Sequence, residues 1–105
     1  MNYEEKICLQ IISAGRLHHV AASRLFSGLQ YANQDYGVEF SIKANDKVYS
    51  KANPDHNLIG DLGRMPKGST IEIELSSEEP NKLKEAIDSL DYFIDRNSLR
   101  ETGNQ

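Results

Sequence analysis

Two stretches of the chain alternate apolar and polar residues so cleanly that they set one side of a β-sheet toward water. Val38, Phe40 and Ile42 interleave with Glu39, Ser41 and Lys43. Ile71, Ile73 and Leu75 interleave with Glu72 and Glu74. Successive side chains of a strand point to opposite faces, so each stretch offers one face to a core and one to solvent. A sheet of such strands is covered on one side only, and the amphipathic helices of the chain must all pack there.

The remaining elements follow from their own periods. Lys6 to Ile12 reads as a first strand, with Ile7, Leu9 and Ile11 on one face and Cys8 and Gln10 on the other. A first helix from His18 or His19 to Asn33 carries the stripe Ala22, Leu25, Phe26, Leu29 and Ala32. Val38 to Lys43 and Lys47 to Lys51 form a hairpin across Asn45-Asp46. Asn53-Pro54-Asp55 is a helix-start signature, and a short second helix with Leu58, Ile59 and Leu62 ends at Gly63. Thr70 to Ser76 is the fourth strand. Ser76-Ser77-Glu78-Glu79-Pro80 opens a last helix that buries Leu83, Ala86, Ile87, Leu90, Phe93 and Ile94. The expected order is βαββαβα: an α+β, open-faced β-sandwich with a four-stranded antiparallel sheet and three helices on one face. A single domain over 1–97 and a polar C-terminal tail over 98–105 complete the chain.

A chain of 105 residues holds one core. The net charge of −4 argues against nucleic-acid binding by broad phosphate neutralisation. No apolar run reaches the length of a membrane span. The acidic start, Met1-Asn2-Tyr3-Glu4-Glu5, does not resemble a signal peptide. The one cysteine, Cys8, can form no internal disulfide, and packing is its expected role. A cytoplasmic monomer is the expectation.

The chemistry concentrates at the turn between the first strand and the first helix, where Gly15-Arg16-Leu17 precedes His18 and His19. The first amides of a helix lack intrahelical partners and carry partial positive charge, which suits an anion and phosphate above all. The same field disfavours a protonated imidazole and leaves a histidine neutral and nucleophilic. His18 is therefore a candidate phosphoryl acceptor, with the backbone of Val20 and Ala21 as the phosphate cradle. His19 is the second candidate acceptor. The plain alternative for His18 is a polar residue tolerated near a helix start. Adjacent histidines seldom share an ion, and the chain offers no close, ordered ligand motif, so no metal or cofactor is expected. Glu72 and Glu74 are a solvent face and Glu78-Glu79 a helix start, so no acid–base dyad emerges. Gly60-Asp61-Leu62-Gly63 lacks the lysine and spacing of a phosphate loop.

Over roughly Lys6 to Asn97 the chain resembles the histidine-containing phosphocarrier protein (HPr) family of the bacterial phosphotransferase system. Gly15-Arg16-Leu17-His18-His19-Val20-Ala21-Ala22 stands where that family has Gly–Leu/Ile–His–Ala–Arg–Pro followed by small residues. Lys67-Gly68-Ser69-Thr70-Ile71-Glu72-Ile73 matches the family's Gly-x-x-Ile-x-Ile approach to strand four. The resemblance implies a phosphocarrier that takes a phosphoryl group from an enzyme I-type donor and passes it to an enzyme IIA-type acceptor. It implies a partner surface on the first two helices, here Arg24, His56, Leu58, Ile59 and Leu62. Counted from His18, however, Val20 and Ala21 hold the family's arginine and proline positions, and the resemblance leaves Arg16, next to the histidines, as the substitute phosphate partner. Ala52-Asn53-Pro54 stands where some members carry a regulatory serine. The second functional reading is a non-catalytic HPr-like module that binds a regulator or enzyme. A ferredoxin-like fold shares the element order with different strand pairing.

Overall fold

Ile7, Leu9 and Ile11 bury one side of β1 (Tyr3–Ile11), while Cys8 and Gln10 turn to the other side. The computed structural model describes residues 2–44, 47–50 and 58–102, and of Arg16, Leu17, Leu58 and Ile59 it describes the backbone only. After β1 come α1 (Arg16–Tyr36), β2 (Glu39–Ala44), β3 (Lys47–Ser50), α2 (Leu58–Arg64), β4 (Thr70–Ser77) and α3 (Pro80–Leu90). A 3-10 turn (Asp91–Phe93) leads to β5 (Leu99–Thr102). The sheet order is β3-β2-β4-β1-β5, and every neighbouring pair is antiparallel.

The register carries the alternation across the sheet. Ile73 lies between Ile7 and Ile42, and Leu75 lies opposite Phe40, all on the covered side. On the other side Glu74 lies between Lys6 and Ser41, and Glu72 between Cys8 and Lys43. Glu39, Ser41, Glu72 and Glu74 are all exposed or half-buried, as their polar character requires. Opposite charges at these cross-strand positions support the register. The helices close the core with Leu25, Leu29, Leu62, Leu83, Ala86 and Leu90.

Three expectations are corrected. The sheet has five strands rather than four, because Leu99 pairs with Ile11 and Thr102 with Cys8 inside the segment read as a polar tail. Leu99 is buried and Ser98 fully enclosed, which ties that segment to the core. The first helix starts at Arg16 and reaches Tyr36, longer at both ends than its apolar stripe implied. The last helix stops at Leu90, so Phe93 sits in the 3-10 turn and Ile94 is buried from extended backbone. Cys8 stands on the face expected of it, half-buried opposite Glu72.

Candidate functional site

The site begins with Gly15. Its backbone takes φ 69°, a left-handed value that favours glycine, and its carbonyl accepts the amides of His18 and His19. This sharp start sets His18 on the first turn of α1, on the side that faces α2. The ring is 1% exposed, and its Nε2 makes a hydrogen bond with the carbonyl of Leu62. A carbonyl can only accept, so Nε2 carries a hydrogen. Nδ1 is buried and has no hydrogen-bond partner. The same Leu62 carbonyl accepts the amide of Met65 at 3.3 Å. The ring is enclosed as a bolt between two helices rather than open to solvent as an acceptor has to be.

His19 takes the opposite role in space. It is exposed, and its ring covers the backbone of Gly63 so closely that a Cβ there would overlap it. Gly63 was expected to end the second helix; it lies inside α2, which continues to Arg64. Its use is the close approach of α1 rather than termination.

The cradle expected from Val20 and Ala21 is corrected as well. Because α1 starts at Arg16, these amides face the carbonyls of Arg16 and Leu17 one turn back and belong to the helix ladder. Val20 is half-exposed and Ala21 fully buried. Arg24 does not turn back toward His18. Its guanidinium donates to the carbonyl of Tyr92 at 3.4 Å, tying α1 to the 3-10 turn. Leu62, expected on the partner surface, is buried. The side chains of Arg16, Leu58 and Ile59 lie outside the described residues, as does all of His56.

Beside this bolt lies a polar cluster that the sequence reading missed. Tyr49 donates its hydroxyl to Asp61 at 2.6 Å, Arg64 binds the other carboxylate oxygen at 2.8 Å, and Lys47 stands 3.6 Å away. Together with Ala44, Met65 and Pro66 they line a recess of about 200 Å³. The Tyr49 hydrogen bond holds the Asp61 carboxyl below its ordinary pKa; partial desolvation opposes this, and Arg64 and Lys47 reinforce it. The only signal in the sequence was an alternating tyrosine in β3, which says nothing of a partner twelve residues on. Among the described residues no group of three histidine, cysteine or acidic side chains could hold a metal ion, and no helix is long and apolar enough to cross a membrane. Comparison of the chain with family models, with curated proteins and with solved structures returns no match.

Proposed function

We propose that the chain is an HPr-like regulatory module that binds a partner protein through α1 and α2 without carrying a phosphoryl group. The sheet order supports the fold half of this reading. A ferredoxin-like pairing would set β3 between β1 and β2, whereas here β4 takes that place and β3 is an edge strand. The observation that carries the functional half is the state of His18. An acceptor nitrogen must come within about 3–3.5 Å of the phosphorus with its lone pair in line. Nε2 is committed to Leu62, and Nδ1 has no open approach. Val20, an aliphatic side chain, stands where the resemblance places a phosphate-binding arginine. What the start of α1 offers instead is exposed Val20 beside exposed His19, an apolar and aromatic surface for a partner protein to cover.

A second reading keeps the phosphocarrier and moves the acceptor to His19, which is exposed on the first turn of α1. In that case the donor is enzyme I-type and the acceptor enzyme IIA-type. One experiment separates the two. The protein is incubated with phosphoenolpyruvate and an active, cognate enzyme I and assayed for acid-labile phosphate. No uptake is the expected result. Uptake abolished by His19→Ala would replace the binding-module reading with the carrier.

A further inference from the structure

The opposite edge of the sheet carries an incompletely covered strand. β5 pairs with β1 only over Cys8 to Ile11, and among the described residues no strand lies beyond β1 along Tyr3 to Ile7. The ladder tells which groups are left there. The Ile11 amide bonds toward β4, at Ser69, and the Ile12 amide bonds toward β5, at Ser98. With the two-residue period of a strand, Glu4 and Lys6 direct their amides and carbonyls to the uncovered side.

A groove of about 410 Å³ runs beside this edge, between β1 and the end of α3. Its floor is apolar: Ile7, Ile87 and Ile94. Its walls carry the carboxylates of Glu5, Asp88, Asp91 and Glu101, and Tyr92 stands at the rim with 83% of its surface exposed. Lys6 is the single cation on the lining. At the mouth Arg96 already pairs with Asp91 and lies 3.7 Å from Glu101, so the spacing of these acids suits a guanidinium.

We infer that this edge binds an extended, basic segment of a partner protein, which adds to β1 as a strand and sets arginine or lysine side chains among Glu5, Asp88, Asp91 and Glu101. Backbone pairing to Glu4 and Lys6 supplies affinity, and the alternation of side chains between the acidic walls and the apolar floor supplies selectivity. A second copy of the chain is a poorer occupant. Two copies would bring two grooves of the same acidic character together, and like charges facing each other oppose docking. The surface is separate from the Tyr49–Asp61 recess, lying toward the other end of the sheet from β3.

The test uses the full chain, isotope-labelled for NMR, with a short capped peptide alternating arginine and valine and a control alternating glutamate and valine. The expected result is a shift of the Glu4 to Ile7 and Tyr92 signals and slowed hydrogen exchange at the Glu4 and Lys6 amides, with the arginine peptide only. The double variant E5Q/D88N, which changes two surface charges and leaves the core intact, should weaken binding roughly threefold to tenfold. An equal response to both peptides, or shifts without slowed exchange at Glu4 and Lys6, would overturn the inference. Protection of those amides that grows with protein concentration and needs no peptide would overturn it in favour of self-association.

Discussion

The imidazole of His18 and the main-chain carbonyl of Leu62, 44 residues apart in sequence, form a buried hydrogen bond that joins α1 to α2. Removing the ring leaves a cavity at the helix–helix contact and takes one donor from the Leu62 carbonyl. The two effects together predict a loss of about 2–4 kcal/mol for His18→Ala in urea unfolding. His18→Gln, whose amide nitrogen can reach the same carbonyl, should recover part of it. A loss below about 0.5 kcal/mol for the alanine variant would show that the ring is not the bolt described.

The pH dependence of the second contact has a definite sign. The Asp61 carboxyl titrates below its ordinary value, first because Tyr49 donates to it. A depressed pKa contributes stability that is fully present above the unfolded value, near 4, and is lost as pH falls through the folded value. Tyr49→Phe should move the carboxyl titration of Asp61 upward, read from its side-chain carbonyl carbon by NMR. The stability gap between the two proteins should be present at neutral pH and narrow below about pH 4. A gap unchanged down to pH 2 would assign the effect to packing of the ring alone.

The C-terminal strand also gives a measurable quantity. Leu99 is 1% exposed and pairs with Ile11. Leu99→Ala should therefore cost about 2–5 kcal/mol, in the range expected of Leu90→Ala in α3. An exposed tail would show a cost near zero for the first and not the second.

Most of the sheet was readable because β2 and β4 alternate without a break, and the covered and bare faces follow from that alone. β5 was not, for a physical reason. Its four residues, Leu99-Arg100-Glu101-Thr102, include one apolar side chain, and a single point has no period. The strand exists because the Leu99 side chain completes the core beside Ile11, a tertiary cause that local sequence does not express. The site shows the same division. The glycine turn and the adjacent histidines were visible as a strand-to-helix junction. Which histidine faces in depends on where α1 starts, and an apolar stripe that begins at Ala22 leaves the first turn without a marker. Since α1 begins at Arg16, the rotation of one residue to the next turns His18 inward against Leu62 and leaves His19 exposed over Gly63.

The contact of His19 with Gly63 predicts a coupling that a simple propensity argument would miss. Glycine inside a helix is less favourable than alanine by as much as about 1 kcal/mol, so Gly63→Ala should stabilise α2 if nothing stood above it. The His19 ring does stand above it, and the new methyl must push the ring away. His19 is exposed and can turn, so the clash should erase the gain rather than unfold the protein. With His19→Ala in place, the same Gly63→Ala change should gain about 0.5–1 kcal/mol. The four proteins of this cycle, compared by urea unfolding, should therefore show a non-additive coupling of at least about 0.5 kcal/mol. Additive effects would mean that the His19 ring does not rest on Gly63.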